Sequence, residues 1–363
     1  MSATGATLSG SYSGATSEPS AAGFKYGTTS GNLDQTASSS TSGTSGDLSA
    51  TLTGLTAGTT YYYKAFVTVN GTEDYAQQSG TFYGTEYSFT TAAVATGWLE
   101  LPAVSGSEDF VGRFYGSGGN TGPNRNYSYY YDYTYYASLW VAYPLSGSHK
   151  SGSASTSSWR YNPNIDNSKQ VKVNSNSYGT MYGNDAYARG HQCPNADRKS
   201  DDDMNLQTYY VTNQTPQLQN NFNGSIWGSL ETAERSLVSS ASDTVYVVTG
   251  PAYRKVNGSE TINYLTGADG QSANPASLPI PNYYWKALLK VKRNGNGEIT
   301  SASAIGFWFA HRDYNSNTEH YYDFVTSVDQ IETWTGFDLF TNLPPSLQTT
   351  AEANTSWSTF QSF

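Results

Sequence analysis

Cysteine is all but missing from this chain of 363 residues. Cys193 stands alone, so no internal disulfide and no multi-cysteine zinc site can form. Charge is scarce as well. Asp, Glu, Lys and Arg supply 13% of the residues where roughly 25% is ordinary, which excludes a coiled coil and charge-rich disorder. Positive charge is the scarcer sign, with 19 Lys and Arg against 29 Asp and Glu. The formal net charge of −10 argues against a partner held by a broad basic surface, so any nucleic-acid function needs a local, metal-assisted site. No apolar run approaches the ~18 residues of a membrane span. The first residues, Met-Ser-Ala-Thr-Gly, have neither a basic nor an apolar signal region. An extracytoplasmic location therefore requires that a signal has already been removed.

Aromatic residues, by contrast, are abundant at 15%, including 31 Tyr and 8 Trp, which favours β structure. The length suggests two domains, each able to bury a core without metal or disulfide. Residues 1–95 are rich in Ser, Thr and Gly, with short alternating segments between turns, the pattern of an all-β sandwich with no helix. Their clearest strand is Tyr61-Tyr-Tyr-Lys-Ala-Phe-Val-Thr-Val69, which places Tyr61, Tyr63, Ala65, Val67 and Val69 on one face. Leu52, Leu55, Thr59 and Tyr61 resemble the tyrosine corner of fibronectin type III domains, with Tyr87-Ser-Phe-Thr-Thr91 as the closing strand. This stretch carries six acidic and two basic residues and no His, and offers no catalytic constellation. It reads as a spacer or attachment module.

Residues 92–97 form the expected linker to a second domain at 96–363, which carries all four histidines and a net charge of −6. Strands are expected at 138–143, 208–212, 244–249, 283–291 and 304–309, in an α+β domain with a central, mostly antiparallel sheet. The Tyr-rich run 127–136 reads as a β-hairpin. Two helices break the pattern. The first is expected over 219–239, burying Phe222, Ile226, Leu230, Ala233 and Leu237. The second, over 328–335, starts after Ser327 with Gln330 in a capping box and stops at Gly336.

Chemistry concentrates in Tyr187-Ala-Arg-Gly-His-Gln-Cys-Pro-Asn-Ala-Asp-Arg198 and in the first helix. Asn223, Trp227, Glu231 and Arg235 recur every four residues. A step of four drifts only ~40°, so Asn223 and Glu231 lie ~80° apart beside the apolar stripe and can face one polar pocket with Arg235. Phosphodiester cleavage needs a base for water, a hard cation for growing oxygen charge and fixed donors for the rest. His191, Asn223 with Glu231, and Arg189 with Arg235 match those needs. A neutral imidazole suits the base, and Mg²⁺, which keeps several waters, needs few protein oxygens.

With these motifs in hand, the chain resembles the DNA/RNA non-specific endonucleases that carry a ββα-metal finger. The likeness runs over about 125–345. It includes Trp140-Val-Ala-Tyr143, Arg189-Gly-His-Gln192, Thr212-Asn-Gln-Thr-Pro-Gln217, Phe222-Asn-Gly-Ser-Ile-Trp227, Val248-Thr-Gly-Pro251 and Val328-Asp-Gln-Ile-Glu332. The resemblance implies His191 as general base, Asn223 as the Mg²⁺ (or Mn²⁺) ligand and Glu231 as holder of the metal's water. Asn213, Arg189 and Arg235 then support phosphate or base. DNA and RNA would be held through the phosphate backbone. Two positions depart from the pattern: Ala188 stands where the family commonly has Asp, and Ser157 where it has an arginine. Arg160 either reaches the same phosphate or is an ordinary surface residue.

Blander readings fit the remaining candidates. Cys193 shares the His191 face on an extended segment, yet a small lone thiol is usually core packing. Asp197 and Asp201-Asp-Asp203 are expected to form a solvated acidic loop rather than a calcium site. His149, His311 and His320 are expected to be structural or surface residues. The Asn223-Gly-Ser225 sequon argues for a bacterial, secreted or surface protein, since a glycan there would block the metal. The rival function is a non-catalytic adhesin or glycan-binding protein on a nuclease scaffold, supported by the acidic charge, the tyrosines, Ala188 and Ser157.

Overall fold

The computed structural model describes residues 5–56, 59–70, 80–91, 97–119, 124–172, 181–182, 185–241, 243–266, 277–294 and 297–363. The chain divides into two compact units between Thr96 and Gly97. The expected linker, apart from Gly97, lies outside the described residues.

The first unit holds β1 (Gly5–Tyr12), β2 (Ala21–Gly27), β3 (Gln35–Ser38), β4 (Gly46–Thr53), β5 (Thr60–Val69), β6 (Gly80–Tyr83) and β7 (Tyr87–Thr90). β1 pairs with β4, while a second sheet runs β3-β2-β5-β6 with β7 also on β5. Ala6, Leu8, Leu48, Ala50 and Leu52 from one sheet meet Ala22, Phe24 and Tyr61 from the other in a single core. The period-two reading of β5 holds for Tyr61, Tyr63, Ala65 and Val67, which pack on that core; Val69 is buried outside it, and Phe66 on the opposite face is buried too. Tyr61 Oη also accepts a hydrogen bond from the Thr56 backbone N–H at 3.0 Å, tying the strand to the turn before it. No helix occurs among this unit's described residues.

The second unit adds β8 (Phe110–Tyr115), β9 (Arg125–Asp132), β10 (Ala137–Ser146), α1 (Gly147–Lys150), β11 (Met181–Tyr182), β12 (Asp185–His191), α2 (Asp202–Gln207) and β13 (Gln214–Leu218). A π-helix (Gln219–Trp227) and α3 (Gly228–Ser236) follow, then β14 (Thr244–Ala252), β15 (Tyr264–Thr266), β16 (Ser277–Pro279), β17 (Tyr283–Arg293), β18 (Ile299–Ala310) and β19 (Val325–Thr326). Helices α4 (Val328–Thr335), α5 (Pro345–Glu352) and α6 (Trp357–Ser362) close the chain. The main sheet has seven strands, β19-β18-β17-β14-β10-β9-β8, and every pair is antiparallel. The Tyr-rich run forms the β9–β10 hairpin.

Both faces of this sheet are covered, which is why its strands read as nearly continuous apolar runs. In β10, Val141, Tyr143 and Leu145 enter one core while Trp140 and Ala142 enter the other. The first core takes Phe222, Ile226 and Leu230 from the π-helix and α3. Each contributes about 1.5–3 kcal/mol by burial, enough to seat that helical segment on the sheet. The second core takes Val328 and Ile331 from α4 and Ala351 from α5. Ser327 caps α4 by accepting from the Gln330 N–H, and Gly336 ends it at φ +76°, as the sequence indicated.

Two elements differ from expectation. Residues 208–212 are no strand: α2 ends at Gln207, and Val211–Asn213 is a 3₁₀ turn whose polar backbone is tied down by Asn213. The first helix opens as a π-helix, whose wider turn rotates the later residues. The fully buried stripe therefore continues through Glu234 and Val238; Leu237 packs on the same core half-buried, and Ala233 does not join it. Among the described residues no helix is long and apolar enough to cross a membrane.

Candidate functional site

His191 ends β12, which pairs antiparallel with β13 so that His191 faces Gln214 and Tyr187 faces Leu218. Leu218 leads directly into the π-helix, so strand, strand and helix follow in order. Gly190 lies where a Cβ would come within 2.2 Å of Gln217 Cδ, so a larger residue beside the histidine would force the Gln217 side chain to move. The imidazole sits between Trp159, at 4.6 Å between ring centroids, and the edge of Tyr209 at 4.8 Å. Its Nε2 is buried and has no hydrogen-bond partner among the described residues. Burial, with the Arg189 guanidinium adding to it, pushes the His191 pKa down to about 4. At neutral pH this imidazole is therefore unprotonated, with a lone pair available to a proton donor. Arg189 stands over the Trp159 ring at 5.8 Å.

The segment after His191 is locked by Asn213. Its Oδ1 accepts from the Cys193 N–H at 2.8 Å, and its Nδ2 donates to the Cys193 and Thr208 carbonyls at 2.9 and 2.8 Å. With its amide committed on both sides, buried Asn213 positions the base loop and does not present itself to phosphate. Cys193 is core, as expected: fully buried, its thiol pushed up to about 12, first by burial.

The loop and α3 are joined by a charge pair that the sequence reading did not find. Asp197, expected in a solvated acidic loop, is buried and accepts from Arg235 Nη1 at 3.0 Å. Asp201 likewise is structural: it caps α2 through the Met204 N–H and accepts from Ser117. Asp202 and Asp203 remain exposed. Arg235 also lies 3.8 Å from Glu231, whose carboxyl burial pushes above its ordinary pKa while Lys286 opposes that shift. Through Arg235, which contacts both Asp197 and Glu231, α3 is tied to the loop after His191.

Asn223 occupies the π-helix, half-buried, and its backbone carbonyl accepts from the Gly228 N–H five residues on. An i+5 turn frequently marks a functional site, because it re-aims side chains that a regular helix would space evenly. Behind the helix lies a wholly buried ion pair, Glu234 with Lys286 Nζ at 3.1 Å, with Nζ also 4.7 Å from the Trp227 ring centre. A hydrophobic-pattern reading cannot see such a pair, since it looks for apolar residues at those positions.

Arg160 follows Trp159 on an extended bridge to Tyr210, with its side chain exposed and its Nε donating to the Ser158 carbonyl at 3.3 Å. Trp159 and Tyr209 turn toward the imidazole. Arg160 goes with Tyr210, which packs on Phe114. The other histidines are structural or surface residues, as expected. His311 bridges the Leu218 N–H and the Pro281 carbonyl at 3.0 and 2.9 Å, His149 approaches the Pro144 carbonyl, and His320 caps the 3₁₀ turn Tyr321–Phe324.

The arrangement offers a neutral base, two guanidinium groups and hard oxygen donors, with no competing thiolate. Residues 113–346 match the family model described as DNA/RNA non-specific endonuclease. A nuclease of Nostoc sp. is 30% identical over 176 residues, covering 48% of this chain and 58% of the relative. A nuclease of Serratia marcescens is 32% identical over 164 residues, covering 44% and 53%. A mitochondrial nuclease of Saccharomyces cerevisiae is 28% identical over 169 residues, covering 46% and 49%. The chain thus spans about half the length of the curated relatives it matches. The match to the family model, across most of the second unit, places the chain in the DNA/RNA non-specific endonuclease family.

Proposed function

We propose that the second unit hydrolyses phosphodiester bonds in DNA and RNA, without base preference, in a Mg²⁺-dependent reaction for which Mn²⁺ can substitute. The observation that carries this reading is the His191 Nε2: buried, unpartnered and on an imidazole kept neutral down to about pH 4. Nε2 takes a proton from the attacking water. Asn213 holds the loop that sets the direction of that transfer, and Trp159 and Tyr209 keep the ring from turning. Arg189 offers a guanidinium to phosphate oxygens beside the base, and Arg235, fixed by Asp197, adds a second cation near Glu231.

The residues present fit a hard dication: Asn223 would supply an amide oxygen and Glu231 a carboxylate, while the one thiol stays protonated in the core. When bound there, the dication would stabilise charge on the phosphoryl and leaving 3′ oxygens, leaving a 5′-phosphate. Recognition through phosphates alone accounts for indifference to base and sugar. We read the first unit as a fibronectin type III-like attachment module and the protein as bacterial and secreted or surface-bound.

The test is cleavage of plasmid DNA and of RNA in Mg²⁺ or EDTA by the parent and by His191→Ala. Cleavage by the parent in Mg²⁺ alone, reduced at least a thousandfold in the variant, supports the reading. An inactive parent, or a variant as active as the parent, would return the protein to the adhesin reading.

A further inference from the structure

On the face of the main sheet opposite the His191 hairpin, α4 and α5 bring together three carboxylates. Asp329 and Glu332 come from α4 and Glu352 from the last residue of α5. One oxygen from each lies within 4.8 Å of the other two. Like charges so close repel strongly, and among the described residues none of the three has an ion pair to a Lys or Arg. Asp338 adds a fourth negative charge nearby. Glu352 is 4% exposed; Gln348 reaches its carboxylate from one side, but its Oε1 is buried without a hydrogen-bond partner. An uncompensated buried carboxylate oxygen costs several kcal/mol, so a partner is missing from the description of this pocket.

We propose that Asp329, Glu332 and Glu352 hold a calcium ion. Two oxygens on one Ca²⁺ at 2.3–2.6 Å lie at most about 4.6–5.2 Å apart, and the three carboxylate oxygens, all within 4.8 Å of one another, are close enough to share one ion. Mg²⁺ demands a near-ideal octahedron and gives up its waters reluctantly, whereas Ca²⁺ accepts several carboxylates in an irregular shell, so three protein carboxylates suit Ca²⁺ better. Asp329 is exposed and gives the ion an entry path, while Glu352 forms the floor. Glu332 keeps one oxygen available because the other accepts from the Leu339 N–H at 2.6 Å. Water completes the shell at the Asp329 side. Glu352 lies beyond the residues matched by the family model, and an ion held there would anchor the C-terminal helices to α4.

The test uses the full chain carrying Asn223→Ala, stripped with chelator, so that a metal at the nuclease site does not contribute. Thermal unfolding with 10 mM CaCl₂ should raise Tm by about 5 °C for a site of 10⁻⁴–10⁻³ M affinity, with a smaller rise in MgCl₂. Tb³⁺ should give Trp-sensitised emission that Ca²⁺ competes away, since Trp334 lies two residues from Glu332. Adding Glu352→Gln should abolish both signals. Adding Asp329→Asn, at an exposed position that does not threaten folding, should weaken Ca²⁺ at least tenfold. An equal Ca²⁺ shift with and without Asp329→Asn would overturn the proposal. So would a parent whose Tm ignores Ca²⁺ but climbs as pH falls from 8 to 6, the signature of carboxyls sharing a proton.

Discussion

His191 shows how much of a residue's chemistry is set by its neighbours. An exposed histidine would titrate near 6.5, whereas burial between Trp159 and Tyr209, with Arg189 adding positive charge, lowers it to about 4. The base form therefore persists over the whole neutral range. In a pH profile, kcat/KM should stay level from pH 8 to below 6 and fall about tenfold per unit only near pH 4; an acid limb at 6.5 would mean that the ring is solvated like an exposed histidine rather than desolvated by Trp159 and Tyr209. Gly190 supplies a second residue-level prediction. Gly190→Ala drives a Cβ to 2.2 Å from Gln217 Cδ and forces that buried side chain to shift, so stability should fall by about 1–3 kcal/mol in urea melts, with cleavage falling alongside. The glycine was legible in the Arg-Gly-His motif, but its physical reason, a glutamine side chain from the partner strand, was not.

The helical segment after β13 is where sequence and structure diverge most usefully. Spacing of four correctly placed Phe222, Ile226 and Leu230 against the sheet. It failed beyond Leu230, because the π-turn changes the phase and because the next inward residue is Glu234, made acceptable by Lys286 on β17. Removing one partner of that pair leaves a buried charge. Lys286→Met alone should cost about 3–5 kcal/mol, while Glu234→Leu with Lys286→Met should recover most of it in a double-mutant cycle. The Asp197–Arg235 contact links α3 to the base loop, and Arg235 is partly exposed, so Asp197→Asn should cost less, about 2 kcal/mol, yet slow cleavage by loosening the loop. Unchanged cleavage with lowered stability would show that the contact only holds the fold.

The charge deficit of the whole molecule governs how it meets a polyanion. The second unit carries a net charge of −6, so on the proposed reading binding rests on Arg189, Arg235 and the dication rather than on a basic surface. Two phosphate contacts give a slope of about −2 in a plot of log affinity against log salt. Filter binding of His191→Ala to duplex DNA in Mg²⁺ measures it, and a slope near −6, or tight binding in EDTA, would contradict this picture. Sequence alone determined the two-unit division of composition, the antiparallel strands, the α4 caps, and the His191 and Asn223 motifs, because periodicity, capping and short motifs are local properties. Tertiary structure decided what depends on partners distant in the chain: Asp197 as an anchor for Arg235, Asn213 as a clamp on Cys193, Lys286 beneath Glu234, and Glu352 beside Asp329 and Glu332. Each is a polar group whose cost or use is set by desolvation and by the charge brought next to it, and neither quantity is written in the residues on either side.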